Sequence, residues 1–138
     1  MAAVLNKVNS FVEALAHKKH NLSSDTLQIA LTNASNAPVA GNSVLADLTQ
    51  ISYTNLSARV LTTSASSQTS GVYKLVIADL VLTASGAVAP FRYVVIFNQT
   101  AANDELIGWY DYGSEITLAN GDTFTIDFDN SNGCLTLT

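Results

Sequence analysis

The period of apolar and polar positions along this chain changes once, near residue 25. Before that point Val4, Leu5, Val8, Phe11, Val12 and Leu15 recur at the three- and four-residue spacing of one helix face, while Asn6, Lys7, Ser10 and Glu13 fall opposite. The spacing predicts an amphipathic helix over 3–19, roughly 25 Å long at 1.5 Å per residue. Beyond it, Leu27, Ile29 and Leu31 alternate with Thr26, Gln28 and Ala30, the two-residue period of a half-buried strand. Residues 33–42 read as a loop punctuated by Pro38 and Gly41. Residues 44–51 read as a short turn or extended segment, and 59–63 as a strand followed by a polar loop over 64–70.

From Gly71 onward the chain is a ladder of short apolar segments with Gly, Asn, Ser and Asp between them. Strands are expected at 72–78 and 80–83, with Asp79 as a bulge or a tight corner, then at 92–98, 106–112, 115–118, 123–128 and 134–138. Tyr93–Phe97 is apolar at every position, which predicts a central strand buried on both faces. Asn120-Gly121 between two apolar segments is the strongest hairpin signal, because a type I′ turn needs positive φ at both central positions. The expected fold is mainly β, an antiparallel β-sandwich or jelly roll of about eight strands with one N-terminal amphipathic helix. One domain covers 1–138, with the helix at 3–19 and the sandwich at 25–138.

Composition adds a hint about the surface. Charged residues make up 12% of the chain, against about 25% in ordinary soluble domains. That shortage is met either by a Ser/Thr/Asn-rich solvated surface or by a surface covered in an assembly. The net charge of −5 argues against nucleic acid as a partner. Charge is also unevenly placed: Lys7, His17, Lys18, Lys19 and His20 lie in the first twenty residues, while the last third is acidic and has no base after Arg92. Such asymmetry can fix register between subunits, or simply place cations in the last turn of a helix. No apolar run approaches the eighteen or so residues that span a bilayer, and no secretory leader is visible, so a membrane partner is not expected and synthesis and retention in a cytoplasm are.

The candidates for chemistry are sparse. His17 and His20 lack a nucleophile elbow for hydrolysis and a third ligand for zinc, and read as solvated partners for an acidic surface. Asp127–Gly133 starts like a calcium loop, but its sixth position is Asn132 and its twelfth is Thr138, so it reads as a hairpin turn. Asp111 with Glu115 or Asp127 is the available carboxylate pair for sugar cleavage. Tyr110 and Tyr112 share one strand face and Trp109 takes the other, either as core and rim or as a sugar-contacting surface. Cys134 is the single cysteine, which excludes an internal disulfide; it reads as a small core filler. No catalytic, cofactor or metal residues are assigned. The candidate interface residues are Lys7, Phe11, Lys18, Lys19, Tyr110 and Tyr112.

Several strings carry a family likeness: 8–13 (VNSFVE), 20–22 (HNL), 25–33 (DTLQIALTN), 90–95 (PFRYVV) and 106–113 (LIGWYDYG). Together they resemble small virion structural proteins of tailed bacteriophages, in particular capsid cement or decoration proteins, over most of the chain. The resemblance implies a non-enzymatic protein without cofactors on the capsid surface, assembled in the host cytoplasm. It implies the major capsid protein as partner, and copies of itself as a homodimer or homotrimer. A tail or neck component fits the same composition. A carbohydrate-binding β-sandwich module using Tyr110, Asp111 and Tyr112 is the alternative from another class.

Overall fold

The computed structural model describes residues 4–138. The chain is mainly β, with nine strands among the described residues, all paired antiparallel, and little helix. Strands β1 (Asn6–Lys7), β7 (Leu106–Leu118), β6 (Val88–Asn98) and β2 (Leu27–Thr32) form a four-stranded sheet in the order β1-β7-β6-β2. Strands β3 (Thr63–Thr69), β4 (Val72–Ile77) and β9 (Leu135–Leu137) form a second sheet, and β5 (Leu80–Thr83) pairs with β8 (Thr123–Ile126) in a third. A single cluster of buried side chains draws on all three sheets, with Phe11, Ile29, Leu75, Leu82, Phe91 and Phe128 among its members. The expected central strand is present: β6 lies between β2 and β7, and Val94–Asn98 is buried throughout.

The N-terminal helix is much shorter than its apolar spacing predicted. Only Phe11–Ala16 is helical, α1, and residue 3 of the expected span lies outside the described residues. Asn6 and Lys7 instead pair with Trp109 and Gly108 on the edge of β7. Gly108 makes that approach possible, since a Cβ there would sit 2.6 Å from the Asn6 carbonyl oxygen. The far end of α1 closes in a Schellman arrangement: the Lys18 amide donates to Leu15 O at 3.2 Å, and the Lys19 amide to Ala14 O at 2.9 Å. Lys18 takes the left-handed position at φ 64 that glycine usually fills. No glycine marks the stop, so the pattern ran on. Lys18, Lys19 and His20 therefore lie beyond the helix and not in its last turn.

Four further expectations are corrected. Residues 64–70 are not a loop: they form most of β3, folded onto β4 through a two-residue turn at Ser70 (φ 52) and Gly71 (φ 83). The strand expected at 59–63 reduces to a bridge between Val60 and Gln28, flanked by the Ile29 and Leu61 amides donating to Arg59 O and Leu27 O. Asn120-Gly121 turns the chain, but positive φ falls on Gly121 alone (φ 88), not on Asn120, so the turn is not type I′. It joins strands of different sheets, because β8 pairs with β5 and the Gly121 amide donates to Ala84 O. The segments at 106–112 and 115–118 are one continuous strand, β7. Asp79 marks a corner between β4 and β5, and its carboxylate accepts from the Phe128 amide at 2.9 Å.

Candidate functional site

A cleft of about 860 Å³ lies between the inner rim of the β3–β4–β9 sheet and two turns, one joining α1 to β2 and the other joining β6 to β7. One wall carries Ser66, Gln68, Tyr73 and Leu137; the opposite wall carries Lys18, Lys19, His20 and Asp25. Both turns are held by Asn98, which ends the apolar run of β6. Its Oδ1 accepts from the Thr100 and Ala101 amides at 3.0 and 3.2 Å. With the oxygen spent there, its Nδ2 donates to Asp25 Oδ2 at 2.6 Å and to His20 Nδ1 at 3.0 Å. The chain 18–25 is thereby stitched to the end of β6.

That network fixes the state of His20. Accepting at Nδ1 leaves the proton of the neutral ring on Nε2. The ring is only 6% exposed, stacks on Phe11 with centroids 5.3 Å apart, and its Nε2 has no hydrogen-bond partner. Burial pulls its pKa below the ordinary 6.5, against the opposing pull of Glu105 and Asp25. Glu105 is itself held ionised below its ordinary range, despite burial, by its own amide, the Asn103 amide and Lys19, whose Nζ lies 3.3 Å away. His20 is thus a buried neutral ring and not the solvated partner of an acidic surface that the sequence implied. His17 stays exposed, 3.7 Å from Glu13.

The six residues singled out from the sequence do not form one surface. Lys18 and Lys19 border the cleft. Lys7 and Tyr110 border a smaller hollow of about 340 Å³ beside Asp127, Asp129 and Cys134. Phe11 is fully buried, so the helix face packs on its own sheets and Phe11 cannot serve an interface. Val12, from the same predicted stripe, is 51% exposed. Tyr110 is half-buried with its ring edge toward Phe128, and burial pushes its hydroxyl pKa up. Tyr112 is exposed and meets Phe124 edge-on.

Of the carboxylates read as available for sugar chemistry, Asp111 has a structural bond. Arg92 grips Asp111 through Nε and one terminal nitrogen, at 2.8 and 3.1 Å, and holds its pKa below the usual range. Asp129 caps its own turn, accepting from the Ser131 and Asn132 amides at 2.9 and 2.8 Å. Gly133 follows at φ 81 and leads from β8 into β9, so this turn crosses between sheets and closes no hairpin. Burial pushes the Cys134 thiol up to about 11, far from the thiolate that reacts or binds metal. Among the described residues no group of three His, Cys, Asp or Glu side chains converges to hold a metal ion, and no helix is long and apolar enough to cross a membrane.

No protein-family model, curated protein or solved structure matches this chain. The cleft takes in two of the six candidates, Lys18 and Lys19. His20 and Gln68, which border it, and Asn98, which holds its turns, come from three distant segments, so no local pattern joins them. One signal was visible: Asn98 is the polar residue closing a five-residue apolar run.

Proposed function

We propose that this chain is a non-enzymatic virion structural protein of a tailed bacteriophage, a capsid cement protein that docks on the assembled head shell and on copies of itself. The architecture we infer is a sandwich, with the four-stranded sheet as one layer and the two smaller sheets as the other, since all three share one core. The observation that carries the functional reading is how the ionisable groups are used. Asp111 is bound to Arg92, Glu105 to Lys19, Asp25 to Asn98, and Asp129 to its own turn. The chemistry of the side chains goes into holding turns rigid, which suits a protein whose product is a shape. Exposed apolar side chains on several elements, among them Val12, Val39, Val60 and Val81, suit a surface covered on more than one side. A subunit that binds only the completed lattice would stabilise it by mass action.

Quantifying the chain in purified virions tests the reading. Hundreds of copies per particle, with released particles re-binding purified protein and resisting heat better, are expected. A handful of copies would move the protein to the tail or neck, and its absence from particles would overturn the proposal.

A further inference from the structure

We propose that the cleft beside β3 is a docking groove for an extended, uncharged segment of a partner polypeptide, added as a new strand on the open edge of the β3–β4–β9 sheet. The inference rests on the reading above, of a protein that works by contact, and specifies the chemistry of one contact. Ser70 and Gly71 form a two-residue turn with positive φ at both positions, which makes Thr69 and Val72 a hydrogen-bonded pair. Bonding alternates along an antiparallel ladder. Ser67 therefore bonds Lys74 across β4, while the backbone N–H and C=O of Ser66 and Gln68 point away from it. Among the described residues no backbone bond ties 64–69 to anything but β4.

The cleft runs along that edge. Successive strand residues face opposite sides, yet Ser66, Ser67 and Gln68 all border the cleft, which only its edge permits. Across the cleft lies the His20 ring, whose buried Nε2 is shut off from solvent. A peptide backbone satisfies the open edge, giving carbonyl and amide groups to the outward groups of Ser66 and Gln68. The charges specify the rest: Lys18 and Lys19 on the cleft are balanced by Asp25 and Glu105, so a neutral segment is favoured over an acidic or basic one. Leu15, Leu22 and Leu137 offer apolar contacts for alternate side chains.

The contrast with β7 sharpens the case. Its stretch beyond Trp109 pairs only with β6 among the described strands, but it carries Asp111, Glu115 and a glycine at φ 97 (Gly113), the devices that blunt an edge. The edge of β3, Thr-Ser-Ala-Ser-Ser-Gln-Thr, has neither charge nor proline.

The test titrates the isotope-labelled full chain with acetyl-Thr-Val-Ser-Val-Thr-Val-Ser-amide, followed by NMR, against the same peptide N-methylated at the alternate residues that would face β3. Saturable shifts of the Ser66 and Gln68 amides, and of the His20 ring protons that border the cleft, are expected with the first peptide only. Gln68→Pro, which removes an outward N–H tolerable at an edge, should weaken binding about tenfold, with Gln68→Ala within about twofold of the parent. A persistently protected Ser67 amide reports that the hairpin survives the proline. No shift at millimolar peptide overturns the proposal, as does equal binding of the N-methylated peptide. So does movement of the same amides with protein concentration alone, which would assign the edge to a second copy, or saturation of the His20 signal by N-acetylglucosamine. Any of these failures leaves the virion copy number, and the functional reading it tests, standing.

Discussion

Strand β6 runs between two neighbours with Val94–Asn98 buried on both faces, whereas β3 lies at a sheet edge with five of its seven residues exposed. Both are antiparallel strands whose ladders carry register shifts. The difference is what the side chains contribute beyond the ladder: β6 removes apolar surface from water at each residue from Tyr93 to Phe97, and β3 removes almost none. Stability is therefore concentrated in the centre of the four-stranded sheet, and the β3 edge is left free to take a partner. Phe91 gives the largest expected measure of that concentration. It is fully buried on β6 and meets Phe124 with centroids 5.6 Å apart. Phe91→Ala should cost about 3–5 kcal/mol in chemical denaturation. A cost under about 1 kcal/mol would mean that the core does not depend on β6.

At the end of the same strand the burial is polar, and the next effect should be smaller. Asn98→Ala removes four hydrogen bonds, leaves His20 Nδ1 and the Thr100 amide without partners, and leaves the Ala101 amide only the longer bond to Asn98 O. A loss of about 2–3 kcal/mol is expected, together with faster hydrogen exchange at Thr100 and Ala101. Unchanged exchange there would show that Asn98 does not hold the turns.

How much of this contrast the sequence displays depends on whether a residue's role is local. β6 was legible because five consecutive apolar residues have few fates other than a strand buried on both faces. Strand β3 was not, because Ser, Thr and Gln are also loop residues; its signal lay in the Ser70-Gly71 pair directly before an apolar strand. The N-terminal stripe failed for a different reason. Val4, Leu5 and Val8 fit helical spacing and strand pairing alike, and the decision was made by Gly108, a hundred residues away. Lys18 and Lys19 were picked out by charge and do border the cleft, whereas His20 was placed in solvent because nothing local announces Asn98.

The pH dependence sharpens the comparison from the same corner. Burial lowers the pKa of His20 from its ordinary 6.5, so the unfolded chain takes up the proton more readily than the folded one. Stability from this group is fully present above about 6.5 and drains as the pH falls through the folded value. Unfolding free energy should drop as the pH falls through and below about 6.5, and the drop should shrink in His20→Gln, whose amide keeps an acceptor for Asn98. The carboxylates with lowered pKa, Glu105 and Asp111 among them, titrate below their ordinary 4.5 and 3.8, outside that window. An identical drop in the variant would remove His20 as the cause.

The smallest effects belong on β3, and their size decides whether it is as unburdened as it looks. Ser67 is exposed on the outer face, directly opposite Lys74. Cross-strand charge pairs are worth roughly 0.2–1 kcal/mol in either direction. Lys74 already donates to Ser131 O at 2.9 Å, which holds its ammonium away from the strand and puts the effect at the low end. Ser67→Glu should raise stability by a few tenths of a kcal/mol and Ser67→Lys should lower it by a similar amount, both fading in high salt. Neither touches the outward N–H and C=O groups of Ser66 and Gln68. Either charge would, however, stand beside the open edge, and should weaken docking of a neutral strand far more than it alters folding. A change in stability above about 1 kcal/mol from either substitution would show that β3 bears weight in the folded chain, and that the contrast with β6 is one of degree only.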